Sequence, residues 1–292
     1  ASRHFLAPSA PGPDPVTVAC RPVSPPATVH LSLAARIPGL AAAEVERALY
    51  EDRTLVKILG MRRTMFVCPL DLAAVVVAAC IPTISGRGRA LTARLLEAAG
   101  IAAPKGWVLD VEAETIAALR ELGEATAAQL SARVPRLRTR VTLAPGKSYS
   151  ADANIGTRIL FELAAQGHIT RGRPLGGWLS SQYRWVPTER WLPGGLPAIP
   201  EADAQAELAR RWLRAFGPAP VADLRWWTGW TAAAVKRALA ALPVVEVELE
   251  GTAGVALADD LEAEPAAAPW AALLPALDPV SYTHLRAHET GR

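Results

Sequence analysis

Little in this 292-residue chain suits metal or nucleophile chemistry. Its three cysteines, Cys20, Cys68 and Cys80, are odd in number and include no CxxC pair. That excludes a thiolate metal framework and fits free thiols in a reducing compartment. Histidine is scarce as well. Two of the five, His284 and His288, lie in "SYTHLRAHETGR" (281–292), whose composition breaks abruptly from the rest and which reads as an appended, non-native tail. The remaining His4, His30 and His168 are scattered, no Ser-His-Asp set can be assembled from their spacing, and each reads as structural. The chain also lacks GxGxxG, GxSxG, HExxH and a Gly-rich loop followed by Lys-Ser/Thr. Neither metal nor cofactor is expected. The longest apolar run, 72–81, stops at Pro82 and is too short to span a bilayer. No basic-then-apolar secretory leader is present. The expectation is a cytoplasmic protein with no membrane partner.

What is present is a core and a polarised charge. Hydrophobic residues make up 51% and charged residues 20%, enough to fold about two average domains or three small ones. Net charge is only +3, or +2 without the tail (29 basic against 27 acidic), but its distribution is uneven. Residues 130–151 hold five bases (Arg133, Arg136, Arg138, Arg140, Lys147) and no acid; residues 244–264 hold seven acids and no base. Such a chain can carry a strongly positive face beneath a nearly neutral total.

The periodicity predicts one pattern repeated: helices, then a short strand pair. In the middle, "DVEAETIAALRELGEATAAQLSARV" has helical spacing and is split by Gly123, with Thr126 opening the second helix. A basic connector leads to "NIGTRILFELAAQGHI", with Asn154 as a plausible N-cap and Gly167 as the stop. "HITRGRPLGGWLSSQYRWVP" then gives two strands around a Gly/Pro turn. Three helices closed by a hairpin are the order of a winged helix. The last third repeats it, from "ADAQAELARRWLRAF" to the strands "VVEVELEG" and "GVALADDL". The first third supplies the helix "AAAEVERALYEDR", the strands "TLVKILG" and "RTMFVCP", and a connecting helix begun at Asp71. The expected architecture is mainly α with short β-hairpins (α+β), three tandem winged-helix modules packed into one body. Its divisions are 1–110, 111–192, a Pro-rich linker 193–203, and 204–280, with the tail beyond.

Arginine carries the candidate chemistry. Arg158 on the third helix, Arg171 and Arg173 at the wing tip, and Arg136, Arg138, Arg140 and Lys147 in the connector suit the phosphates of a polyanion, as does Arg184 in the second strand. The competing reading makes each a solvated surface arginine. "RWWTGW" (225–230) places Trp226 and Trp230 on one helical face with Trp227 turned away; filling a joint between Ala-rich modules is the simpler account, a base-stacking platform the sharper one.

Several strings together resemble a known family: "PATVHLS" (26–32), "VERALYEDRTLVKILGMRRTMFV" (45–67), "SSQYRW" (180–185), "WLRAFGPAPVADLRWWTGW" (212–230) and "LPALDP" (274–279). They are similar to the bacterial tandem winged-helix family that includes alkylpurine and interstrand-crosslink DNA glycosylases, over about residues 16–280. The resemblance implies a monomer that cups double-stranded DNA and hydrolyses the N-glycosidic bond of alkylated purines without cofactor. It places Arg62 and Arg63 near the DNA-facing cleft. It also places the catalytic motif (Gln, a hydrophobic residue, then Gln or Asp) on Pro22, Val23 and Ser24, where only the middle position matches. Proline has no side-chain donor or acceptor, so the expectation is a DNA-binding protein resembling these glycosylases whose catalytic motif is missing, an active glycosylase being retained as one alternative. A transcriptional regulator without enzymatic activity is the other alternative.

Overall fold

A computed structural model of the chain describes residues 21–22 (backbone only), 27–144, 146–262, 271 and 273–275. The mixed helical and short-stranded composition expected from the sequence is what the structure shows. Val23, Ser24 and the tail 281–292 lie outside the described residues. Contacts divide the chain into two compact units: one contains residues 1–80 and 196–292, the other residues 81–195.

The 81–195 unit is built around two helix stops. Helix α4 (Pro104–Leu122) ends at Gly123, whose φ of 75° is open to glycine and whose N–H donates to the Leu119 carbonyl at 2.8 Å. Helix α5 (Ala127–Arg133) starts with a capping box: the Gln129 N–H donates to Thr126 Oγ1 and the Thr126 N–H to Gln129 Oε1. Helix α6 (Gly156–Ala165) follows, strands β6 (Ile169–Pro174) and β7 (Tyr183–Pro187) close the unit as an antiparallel pair, and the short α7 (Thr188–Trp191) follows β7. Leu119, Leu130, Leu137, Ile155, Ile159, Leu163 and Ile169 from these elements are fully buried together with Trp185.

Two local expectations change here. The basic connector is a hairpin, β4 (Arg140–Leu143) paired with β5 (Ala151–Asn154). Asn154 therefore ends a strand rather than capping α6, and Ile155 precedes that helix with no side-chain cap. Gly156 is required instead: a Cβ there would stand 2.8 Å from the Leu137 carbonyl oxygen.

The other unit joins both ends of the chain. A three-stranded antiparallel sheet has the order β1 (Arg21–Pro22), β3 (Met65–Pro69), β2 (Leu55–Leu59), flanked by α1 (Thr28–Ala34) and α2 (Ala42–Tyr50). The C-terminal part adds α8 (Glu201–Phe216), α9 (Val221–Thr228), α10 (Ala232–Ala240) and the hairpin β8 (Val244–Leu249)–β9 (Thr252–Leu257). That hairpin turns at Glu250 and Gly251, both left-handed (φ 48° and 83°), the conformation a two-residue hairpin loop requires. Arg211 on α8, paired with Glu207 on the same helix, ties the two parts together through Asp71, and despite the opposing effect of partial burial it holds the Asp71 carboxyl below its usual value.

The two sets of helices share a detail invisible in the periodicity. Ala125, just after α4, forms an isolated antiparallel bridge with Trp185 in the second hairpin strand. Ala219, just after α8, does the same with Val255. In each, the chain between the first and second helices is pinned to the closing hairpin.

Helix α3 (Leu70–Ala98) continues through Pro82, where the sequence reading ended it. Pro82 is exposed and Ala78, whose carbonyl loses its helical donor, is only half-buried, so hydration can replace the missing bond. By length and composition α3 could cross a membrane, but Leu72–Val76, Ala79 and Cys80 are buried in the protein core. His30 in α1 is buried too, and burial, followed by the Lys57 charge, lowers its pKa from 6.5 to about 4.

Gly156→Ala should lower the urea midpoint by an equivalent of about 1–3 kcal/mol through overpacking. Gly106→Ala, in the open interior of α4, should raise stability by about 0.5–1 kcal/mol. Because the folded state resists protonating His30, stability present at neutral pH should fall as pH drops from 6.5 towards 4. Thermal melts of His30→Leu across that window should show a shallower decline than the parent.

Candidate nucleic-acid interface

Between residues 81 and 195 there are fifteen Lys and Arg against nine Asp and Glu, a net +6; the rest of the chain has sixteen against nineteen, a net −3. The positive charge thus belongs to one unit. Within it, carboxylates have already claimed several arginines. Arg133 pairs with Glu121, Arg136 with Glu114 through two donors, Arg120 with Glu189, Arg89 with Glu112, and Arg184 with Glu124 at 3.4 Å. Arg136 also stands over the Trp107 ring, 5.7 Å from its centroid.

Arg138, Arg140 and Lys147 are exposed and have no ion pair among the described residues. They lie on the Pro135–Arg138 turn and on the β4–β5 hairpin, together with Tyr149, which is 72% exposed. Thr142 Oγ1 donates to Asp152 Oδ1 across the hairpin at 2.8 Å, so its one carboxylate is engaged beside these cations. Three uncompensated cations and an exposed phenol ring on one turn and the hairpin that follows it form a surface able to follow a phosphate backbone. The alternation in "RVTL" and "ADAN" is too short to announce this hairpin from sequence; the Pro145–Gly146 turn pair was the available signal.

The wing arginines behave differently from their sequence reading. Arg171 lies opposite Trp185 in the body of the β6–β7 ladder, away from the loop 175–182. Its guanidinium sits 4.4 Å from the Tyr183 ring centroid and 5.6 Å from that of Trp185, and the two rings meet edge to face at 5.2 Å. Burial pulls its pKa below the ordinary arginine value and pushes that of Tyr183 up, while their mutual interaction opposes both shifts. Arg173 is exposed, and Leu179 at the loop tip is 67% exposed. Arg158 is half-buried, with Nε donating to Thr92 Oγ1 at 3.2 Å, so it faces into its unit.

In the other unit, Arg62 and Arg63 occupy the turn between β2 and β3, both exposed and both left-handed (φ 53° and 65°). The Arg62 guanidinium lies 4.0 Å from the Trp226 ring centroid, and its Cγ would stand 3.2 Å from a Cβ at Gly229. The tryptophan string separates at that glycine. Gly229 is left-handed and ends α9, so Trp226 and Trp230 do not share a helical face. Trp226 carries Arg62, Trp227 packs on Trp212 and Phe216, and Trp230 is buried with its Nε1 donating to the Ala79 carbonyl at 3.1 Å. Trp230 belongs to the interior of this unit, while Trp226 and Trp227 are half-buried.

Among the described residues no group of three or more His, Cys, Asp or Glu could hold a metal ion. For the motif positions, the structure gives backbone register alone: Arg21 opposite Val67 and Pro22 opposite Phe66.

Comparison with known proteins gives a consistent picture. A family model described as DNA glycosylase AlkZ-like matches residues 19–289. Among solved structures, Streptomyces sahachiroi DNA glycosylase AlkZ is similar in fold, with a TM-score of 0.66 at 19% identity, covering 88% of this chain and 67% of that one. No curated protein matches.

Arg171→Ala should cost about 1–2 kcal/mol of thermal stability, because a partly desolvated cation–π contact is lost. Arg140→Ala should leave the melting temperature within the scatter expected of a neutral surface change, about 0.5 kcal/mol.

Proposed function

This chain belongs to the AlkZ-like DNA glycosylase family, and we propose that it is a cytoplasmic, monomeric protein that grips duplex DNA through a phosphate-following surface and has lost the family's water-placing chemistry. The observation that carries the binding half is the set Arg138, Arg140 and Lys147, exposed and uncompensated in the unit of net charge +6. Arg173 in the wing, and Arg62 and Arg63 on the β2–β3 turn, are the further contacts.

The two bridged sets of helices support reading the chain as tandem winged-helix modules, with residues 111–192 and 204–280 as the second and third and the first within 1–110. In this arrangement α6 and α10 are the helices that approach a groove, with the hairpins beside them on phosphates. Arg171, Arg136 and Arg184 are then scaffolding: each already serves a ring or a carboxylate.

Excision of an N7-alkylated purine needs little from a protein. The base is already cationic, so what remains is to stabilise an oxocarbenium-like sugar and hold a water at C1′. Pro22 has no side-chain donor or acceptor, and Ser24 replaces an amide or carboxylate with a single short hydroxyl. The proposed chain therefore binds alkylated DNA without hydrolysing it.

Fluorescence anisotropy with duplex DNA at two salt concentrations tests the first half, because neutralised phosphates release counterions. Steep salt dependence is expected, and replacing Arg138, Arg140 and Lys147 by Glu should reduce the slope of log affinity against log salt by about 3. Binding insensitive to salt would overturn it. On duplex carrying 7-methylguanine no free base above the buffer rate is expected, and measurable release would restore catalysis. A preferred operator sequence bound by a dimer would favour the regulator.

A further inference from the structure

Of the aromatic side chains among the described residues, Tyr149 alone is exposed, at 72%; the others are buried or half-buried. It lies in the loop that joins β4 to β5, and that loop is held by its own hydrogen bonds. The Lys147 N–H donates to the Ala144 carbonyl at 3.2 Å and the Ser150 N–H to the Lys147 carbonyl at 3.0 Å. Ser150 Oγ donates to the Leu143 carbonyl at 3.3 Å. Ala144 and Gly146 are both left-handed there, with φ of 48° and 76°. The ring is therefore carried into solvent by a loop of defined shape.

The cations on this element and the ring have different uses. Arg140 opens β4 three strand residues before Leu143, so the loop begins about 10 Å beyond it. Cations follow phosphates whether or not the bases are stacked. A phenol hydroxyl can serve a phosphate too, but a serine or lysine would do the same. What tyrosine adds is a flat face, which gains most against the face of a base. In continuous duplex each base face is covered by its neighbours, so the ring finds a partner where a base has left the stack.

From a single exposed ring at the tip of a hairpin that carries Arg140 and Lys147, we propose that Tyr149 stacks on an unpaired nucleobase, so that the β4–β5 hairpin binds DNA at a bulged base in preference to continuous duplex. This inference rests on the DNA reading above and extends it. Arg138, Arg140 and Lys147 hold the backbone, which carries no information about base pairing, and the ring selects the position along it.

The test compares the full chain on two duplexes that differ by one unpaired 2-aminopurine. Anisotropy measures affinity, and the emission of the 2-aminopurine measures stacking. Binding to the bulged duplex should be about tenfold tighter, with the emission quenched. Tyr149→Phe, which keeps the ring and loses the hydroxyl, should retain both effects. Tyr149→Leu should bring the two affinities within about twofold and leave the emission unquenched, with affinity for continuous duplex unchanged. Because the side chain is exposed, neither variant should move the melting temperature. Equal affinity of the parent for the two duplexes, loss of the preference in Tyr149→Phe, or its persistence in Tyr149→Leu overturns the proposal and leaves the duplex reading standing. A chain that binds neither duplex fails both.

Discussion

A guanidinium resting on an aromatic ring recurs at the points that hold this protein together, and it decides which arginines remain for anything else. Arg62 lies on Trp226, Arg171 on Tyr183 and Trp185, and Arg136 over Trp107 while paired with Glu114. Arginine suits these places because its planar, weakly hydrated cation loses less on partial burial than an ammonium and keeps donors for a carboxylate at its edge. Once rings and carboxylates have taken their share, Arg138, Arg140 and Lys147, which have no ion pair among the described residues, stand together on one turn and the hairpin that follows it. A near-neutral chain thereby obtains a local positive surface, without needing an extreme total charge that would oppose its own compaction.

The bridges at Ala125 and Ala219 explain why short helices suffice. Helix α5 has 7 residues and α9 has 8, below the length at which an isolated helix is stable in water. Each is held instead at its start, where the preceding segment exchanges two backbone hydrogen bonds with the closing hairpin: Ala125 with Trp185 at 2.7 and 3.0 Å, Ala219 with Val255 at 2.9 and 3.1 Å. The hairpin is therefore part of the helical scaffold. Arginines in its body, such as Arg171, serve packing, while residues beyond the ladder stay available to a ligand.

Much of this was legible in the sequence where a single local rule dominates. Gly123 and Gly167 stop helices because they adopt positive φ, Thr126 caps α5, and the strands 55–59, 65–69, 244–249 and 252–257 follow from their β-branched runs and turn residues. What was not legible depends on contacts distant in sequence. The β4–β5 pairing rests on four-residue strands with no apolar alternation, so the basic segment looked like a connector. Trp226 and Trp230 were separated by one backbone conformation, at Gly229. Arg158 and Arg171 read as surface cations because nothing in their neighbourhood names Thr92 or Tyr183 as partners.

The central claim is the proposal that phosphate contact is made chiefly by the turn and hairpin over 138–154 and by the loop of the β6–β7 hairpin. Hydrogen–deuterium exchange of the full chain with and without duplex DNA addresses it most directly. The account predicts slowed exchange over 138–154 and 173–183, with no change over 221–230. Protection confined to 221–240, with 138–154 unaffected, would contradict it.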